Sequence, residues 1–165
     1  MLNGKEIIEK GIVFNNIEDK NIQQHGVDLN LIEVKQIIGN GKIRVDKTEL
    51  PPLAPRPLDN GRWFLEPGVY DITFAQGCKV PKDQMLLIRQ RSSLLRCGSI
   101  ISSSIFDAGF QTENIGCVMV VNVPILIEYK ARIAQIYNHQ TSEVSNLYDG
   151  QFQNDKQRKD EKSKS

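Results

Sequence analysis

A short stretch of the chain contains side chains that together could act on a phosphate ester or anhydride. It spans residues 90–110 and reads QRSSLLRCGSIISSSIFDAGF. Arginine and serine hold phosphate oxygens through directed, charge-assisted hydrogen bonds. The residues of these types are Arg91, Ser92, Ser93 and Arg96. Asp107 stands among apolar residues and glycine, and it is a candidate general base for activating water. A simpler interpretation is a turn or helix cap made by the serines and a turn made by the aspartate.

The composition limits the partners that such a site could serve. The chain has 165 residues, enough for one domain with a substantial core. Its 21 lysines and arginines nearly balance 20 aspartates and glutamates, so neither nucleic acid nor an anionic membrane is indicated as a partner. No apolar run approaches the length of a membrane span, and no signal-peptide pattern begins the chain. We therefore expect a cytoplasmic protein, of a bacterial cell or of a host if the source is viral.

The cysteines and histidines do not form a recognisable metal site. Cys78, Cys97 and Cys117 are far apart and have no CxxC spacing, which favours small hydrophobic side chains in a reducing compartment. His25 and His139 are isolated from each other, and we expect a structural or exposed position for both. No metal held directly by the protein is predicted.

The elements that must position these residues are mostly short strands. A capping-box spacing at Asn3 and Glu6 predicts one N-terminal helix, which Gly11 could end. From residue 26 onward, apolar or alternating runs are broken by Gly, Pro, Asn and Asp. The candidate strands are residues 27–34, 42–45, 62–65, 69–74, 84–90, 115–121, 125–129 and 133–137. This pattern predicts an all-β fold, a sandwich, jelly roll or barrel.

Two segments lack the pattern of a central strand. Residues 50–60 are rich in proline, so we expect a surface loop or an extended arm there. Residues 154–165 are almost wholly polar and charged, and we expect them to be a disordered tail. The remaining residues, 1–153, are predicted to form a single domain.

Six motifs occur along the chain in an order that resembles the dUTPase/dCTP deaminase superfamily, and in layout its dCTP-deaminase-like branch. The resemblance covers nearly the whole chain to Gln153. In chain order the motifs are QHGVDL at 24–29, LEPG at 65–68, RSSLLR at 91–96, DAGF at 107–110, RIAQ at 132–135 and YDGQFQ at 148–153. The resemblance implies a distorted β jelly roll, or β-clip, of the dUTPase type with a short N-terminal helix. It also implies a homotrimer with active sites between subunits and a magnesium-dependent reaction on a deoxyribonucleoside triphosphate.

The resemblance also implies a role for individual residues. Arg91, Ser92, Ser93 and Gln135 would bind the phosphate chain, with Arg96 added in the deaminase-like branch. Asp107 would orient and deprotonate the attacking water. Phe110 would pack on the deoxyribose, although ordinary core packing also explains an aromatic side chain there. Asp28 would fix neighbouring residues near the magnesium–phosphate site without binding the metal, and Arg132 would be structural. Tyr148 and Gln153 of the last motif would contact substrate.

One strand separates the two chemistries of this superfamily. Deaminases of the branch carry a glutamate, in a pattern like ITLE, on the strand after the DxGF turn. Counting without a gap places Cys117 at that position, and allowing one inserted residue places Val118 there. Neither side chain moves a proton as a carboxylate does. Glu113, in the longer turn before this strand, is the remaining carboxylate that could reach the pocket, but its register is unfavourable.

The favoured hypothesis is therefore Mg²⁺-dependent hydrolysis of dUTP to dUMP and pyrophosphate. Two alternatives stay open: a dCTP deaminase or bifunctional deaminase/dUTPase, and a non-catalytic nucleotide-sensing or protein-binding member of the fold. The chain departs from the family patterns at two places. Ser102, Ser103 and Ser104 replace the Asn and Gly that precede the aspartate in dUTPases. Gln151 and Phe152 replace the Lys and Tyr of the YxGKYQ pattern near the C-terminus.

Overall fold

The N-terminal helix forms where its capping residues predict it. In the computed structural model, which describes residues 1–150 and 152–153, helix α1 spans Gly4–Glu9. The Asn3 side chain accepts a hydrogen bond from the Glu6 backbone N–H, and the Glu6 carboxylate accepts one from the Asn3 N–H. These two bonds satisfy donors that a helix start otherwise leaves unpaired. Gly11 has a φ of +65°, a conformation that glycine adopts without strain, just beyond the end of the helix.

The rest of the described chain is mainly β, which confirms the predicted fold class. The first strands are β1 (Val13–Phe14), β2 (Ile22–Gln23), β3 (Gly26–Ile37), β4 (Lys42–Ile43), β5 (Thr48–Glu49) and β6 (Leu53–Pro55). Next come β7 (Arg62–Leu65), β8 (Gly68–Phe74), β9 (Gly77–Lys79) and β10 (Gln84–Gln90). The last are β11 (Ser99–Ser102), β12 (Gln111–Thr112), β13 (Gly116–Val121), β14 (Ile125–Glu128) and β15 (Arg132–Gln140). A 3₁₀ helix covers Asp19–Asn21, and helix α2 covers Ser92–Arg96.

The main sheet is antiparallel and nearly closes on itself. Its strand order is β10-β15-β3-β8-β13-β11, with β2 and β6 also paired to β3. The two outer strands approach each other because Leu86 of β10 and Phe106, just after β11, exchange two backbone hydrogen bonds. The core inside this sheet consists of fully buried apolar side chains, among them Leu29, Leu31, Tyr70, Ile72, Phe74, Met119 and Ile136. Among the described residues, no helix is long and apolar enough to cross a membrane.

The proline-rich segment is an extended arm, part of which pairs with the main sheet. Strand β6 lies inside residues 50–60 and, among the residues that the structure describes, pairs with the end of β3 alone, where Pro55 stands opposite Lys35. An edge position is where a sheet tolerates proline, because one side of the strand needs no donor. The predicted tail, residues 154–165, lies outside the described residues.

Candidate active site

A cavity of about 560 Å³ opens between the outer face of the main sheet and the segment that follows β11. Strands β3, β8, β11 and β13 supply one part of its lining, and the turn at residues 107–110 supplies another. The polar lining residues are Lys35, Asp71, Ser102, Ser103, Ser104, Asp107, Thr112 and Asn114. Apolar and aromatic side chains line the remainder, as in most sites that bind small organic molecules.

The turn at residues 107–110 places Asp107 in the cavity lining. The Phe110 N–H donates to the Asp107 carbonyl at 3.0 Å, which closes the turn. Gly109 has a φ of +90°, and a Cβ added there would lie 2.7 Å from the Cβ of Leu147. Only glycine fits both the backbone conformation and this contact. Asp107 is exposed and Phe110 is buried, so the carboxylate is accessible while the aromatic ring is held in place.

The C-terminal motif packs on this same turn. The Gln153 side chain donates to the Gly109 carbonyl at 2.8 Å and accepts from the Gln111 N–H at 2.9 Å. Tyr148 packs edge-on against Phe110 with ring centroids 5.5 Å apart, and its N–H donates to the Ala108 carbonyl. Gln153 thus holds the backbone on both sides of Phe110, while Tyr148 lines the cavity.

A second group of predicted residues gathers around the buried carboxylate of Asp28. Its Oδ2 lies 3.3 Å from Nε of Arg91 and 3.2 Å from a guanidinium nitrogen of Arg132. The Gln135 side-chain amide lies 3.4 Å from Oδ1. These four residues come from β3, β15 and the end of β10, which are neighbours in the sheet. Asp28 therefore orients Arg91 and Gln135, two residues with a predicted phosphate-binding role.

Burial and charge act on Asp28 in opposite directions. Its side chain is 1 % exposed, and this burial raises the pKa of the carboxyl above its usual value. The positive charges of Arg91 and Arg132 and the hydrogen bond from Gln135 lower it and offset only part of the rise. The Arg132 guanidinium also donates to the Lys20 carbonyl, so it has a structural contact besides the ion pair.

Helix α2 carries the other predicted phosphate-binding side chains. Arg91 is its N-cap residue, and no side chain caps the helix. Ser92, Ser93 and Arg96 are exposed, whereas Leu94 is buried against the core. The serines therefore do not act as helix caps, and their hydroxyls face the surface.

Within one chain, Asp107 is far from the residues with a predicted phosphate-binding role. Phe106 pairs antiparallel with Leu86, so the next residue, Asp107, lies toward Met85, whereas Arg91 directly follows the other end of β10, six residues beyond Met85. At about 3.3 Å per residue, the backbones of Asp107 and Arg91 are separated by about 20 Å along the strand direction. Arg91 and Gln135 do not line the cavity that contains Asp107. A single chain does not bring the predicted base and the predicted phosphate-binding residues together.

Comparison with protein families identifies the chain's relatives. A family model described as dCTP deaminase-like matches residues 3–141. The chain belongs to the dCTP deaminase-like family. Curated relatives include a probable deoxyuridine 5′-triphosphate nucleotidohydrolase of Methanosarcina acetivorans, 31% identical over 81% of both chains. Another is the deoxyuridine 5′-triphosphate nucleotidohydrolase of Methanocaldococcus jannaschii, 33% identical over 83% of this chain and 90% of that protein.

A solved structure shares the fold of this chain. The 2′-deoxycytidine 5′-triphosphate deaminase from Agrobacterium tumefaciens superposes with a TM-score of 0.61 and 15% sequence identity. The match covers 82% of this chain, which spans 45% of the deaminase chain. This likeness confirms the predicted fold of the family.

The strand that carries the glutamate in family deaminases is apolar here. Cys117 and Val118, the two positions that the family resemblance offers for that glutamate, both line the cavity. Burial, and then the negative charge of Asp71, raise the pKa of the Cys117 thiol, which keeps it neutral. Glu113 is exposed and lies outside the lining, where its carboxylate accepts a hydrogen bond from Asn15.

The sequence patterns did not identify two charged residues that line the cavity. Asp71 on β8 and Lys35 on β3 both line it. Asp107 is therefore not the only carboxylate there. Each of the two occupies an outward position of an alternating strand, which the sequence shows. Their proximity depends on the pairing of β3 with β8, which no local pattern reveals.

Proposed function

We propose that this protein hydrolyses dUTP to dUMP and pyrophosphate. The observation that carries the proposal is the cavity lining, in which Asp107 is accompanied by Cys117 and Val118 at the positions where a deaminase needs a carboxylate. The curated relatives named as deoxyuridine 5′-triphosphate nucleotidohydrolases support the same substrate. With this lining, the site contains a carboxylate that could activate water, Asp107. Strand β13 supplies no carboxylate that could transfer a proton at the cytosine amino group.

In the proposed reaction, Asp107 accepts a proton from a water molecule as the water oxygen attacks the α-phosphorus. A bond forms between this oxygen and the α-phosphorus while the bond to the oxygen that bridges to the β-phosphorus breaks. Pyrophosphate leaves with that oxygen and its electron pair. Phe110 packs on the deoxyribose, and backbone groups of residues 103–118 contact uracil. Tyr148 closes the same side of the cavity.

The phosphate chain is held by Arg91, Ser92, Ser93, Arg96 and Gln135, whose positive charges and donors stabilise the departing pyrophosphate. Asp28 fixes Arg91 and Gln135 through the contacts described above. Because Asp107 and Arg91 of one chain are about 20 Å apart along the direction of β10, we infer that Asp107 of one subunit works with Arg91 of a neighbour. A homotrimer with sites between subunits provides this arrangement.

Magnesium fits this site as a companion of the substrate. The described residues contain no group of three or more His, Cys, Asp or Glu that could hold a metal ion. Mg²⁺ is commonly bound through substrate phosphates and waters with few protein ligands, which suits a site whose phosphate-binding residues are arginine, serine and glutamine. When bound, Mg²⁺ would neutralise charge on the phosphate chain. We place the reaction in the cytoplasm, with no nucleic acid or membrane partner.

Product analysis tests this proposal. The protein is incubated with Mg²⁺ and either dUTP or dCTP, and dUMP, pyrophosphate and ammonia are measured. We expect dUMP and pyrophosphate from dUTP and no ammonia from dCTP. Ammonia from dCTP would show a deaminase, and no product from either nucleotide would favour a binding protein.

A further inference from the structure

A row of four side chains crosses the sheet at the level of the cavity. Ser102 of β11 pairs with Val118 of β13, Val118 with Asp71 of β8, and Asp71 with Lys35 of β3. Residues directly opposite each other in antiparallel strands share a face, with Cβ atoms about 4.5–5.5 Å apart. All four line the cavity, so the row forms one continuous part of its wall.

On one side of this row, the outward-facing residues of the sheet are apolar. Two residues along the same strands, the next row on this face consists of Ile100, Val120 and Val69, and none of these lines the cavity. Asp71 and Lys35 therefore line the cavity, whereas the apolar residues of the next row do not.

A neighbouring carboxylate holds the lysine of this pair. The Lys35 ammonium lies 3.2 Å from the Glu33 carboxylate and its side chain is only 22 % exposed, so the lysine has a fixed position. Asp71 lies opposite Val118, the residue next to Cys117 on β13, and its charge contributes to the raised pKa of the Cys117 thiol. Asp71 and Lys35 thus present an acceptor and a donor side by side.

We propose that Asp71 and Lys35 read the pyrimidine edge and select uracil over cytosine; this rests on the proposed function. Uracil offers an N3–H donor next to the O4 acceptor, whereas cytosine offers an N3 acceptor next to a 4-amino donor. The Asp71 carboxylate accepts only and the Lys35 ammonium donates only. Uracil N3–H donates to Asp71 and uracil O4 accepts from Lys35. Cytosine places a lone pair against the carboxylate and an amino group against the ammonium.

The strands adjoining this pair support its place at the base. Val118 and Ser102 flank residues 103–117, whose backbone belongs to the proposed uracil-binding hairpin. Asp71 lies on the strand next to Val118, one strand spacing of about 4.8 Å away. The backbone then contacts the base from one side, and the charged pair completes recognition of its edge.

The test compares Asp71→Asn with the wild type on two substrates. The variant keeps the side-chain size and replaces an acceptor-only group with one that also donates. We expect kcat/KM for dUTP to fall about 10- to 100-fold, as for the loss of a hydrogen bond to a charged group, and kcat/KM for dCTP hydrolysis not to fall. Lys35→Gln should shift the ratio in the same direction.

Glu9→Gln is the matched control. It removes one negative charge from an exposed ion pair with Lys5 on helix α1, outside the cavity lining. We expect it to change the dUTP/dCTP ratio by less than about twofold, as is usual for an exposed ion pair. A ratio equally altered in Glu9→Gln and Asp71→Asn, or unaltered in Asp71→Asn, overturns the proposal.

A binding measurement separates this inference from the proposed hydrolysis. Calorimetric titration with the α,β-imido analogues of dUTP and dCTP measures base selectivity without any reaction. Tighter binding of the uracil analogue that Asp71→Asn abolishes supports the base-reading pair, even if the wild type hydrolyses nothing. Equal binding of both analogues by the wild type overturns the pair, even if dUTP is hydrolysed.

Discussion

Oδ2 of Asp28 lies 3.3 Å from Nε of Arg91, and this contact joins a fully buried carboxylate to a partly exposed arginine at the end of β10. The arginine is therefore not a freely moving surface side chain. Gln135 approaches the other oxygen of the same carboxylate. One buried acid thus orients two of the groups proposed to hold the phosphate chain, without itself facing the substrate.

The raised pKa of Asp28 predicts a particular pH dependence of stability. Because burial raises the pKa in the folded protein above its unfolded value, ionising Asp28 costs folding free energy. Its contribution to stability is full below the unfolded pKa and is lost as pH rises through the folded pKa. We expect Asp28→Asn, which does not titrate, to gain stability relative to the wild type as pH rises through that range.

Urea unfolding at a series of pH values measures this difference. Glu128→Gln provides the control, because Glu128 is an exposed carboxylate on β14. A stability of Asp28→Asn that stays constant relative to the wild type, or that falls relative to it as pH rises, would contradict the raised pKa of Asp28.

Gln153 should affect turnover by positioning Asp107. Its amide bonds the backbone at Gly109 and Gln111, so Gln153→Leu keeps the side-chain volume but releases the turn that carries Asp107. We expect kcat for dUTP to fall about tenfold or more, since small displacements of a catalytic group are costly. Steady-state kinetics measures the effect. Gln140→Leu, which removes an exposed amide bonded to Asp83, should leave kcat unchanged. Equal kcat in Gln153→Leu and the wild type would refute the positioning role.

Mixing two inactive variants tests whether neighbouring subunits share a site. Asp107→Asn and Arg91→Ala each remove a different half of the proposed site. If one site takes Asp107 from one subunit and Arg91 from another, random mixed trimers contain intact sites, about a quarter of all sites in an equal mixture. We expect dUTPase activity to return after the variants are unfolded and refolded together. Activity that remains at the level of the separate variants would place both residues in one subunit's site.

Much of the fold was predictable from local patterns. Asn3 and Glu6 predicted the start of α1, and alternating apolar residues predicted strands such as β8 and β10 with errors of about one residue. Helix α2 and strand β11 were missed because both lie in a serine-rich segment, and serines favour turns.

The candidate site was predictable only in part, because its members come from separate strands. The motif order predicted the positions of Asp107 and Arg91 but not their separation, which depends on the pairing of Leu86 with Phe106. Likewise, Asp71 and Lys35 are 36 positions apart in the sequence and become neighbours only through the register of β3 and β8.

The most direct test of the central claim is the rate of pyrophosphate release from dUTP by Asp107→Asn. The substitution removes the proposed base and keeps the shape of the side chain in the cavity. We expect release to fall by about 10²- to 10⁴-fold, the usual contribution of general acid–base catalysis, while binding of the α,β-imido analogue of dUTP stays within a fewfold of the wild type. Undiminished pyrophosphate release would contradict the assignment of Asp107 as the catalytic base.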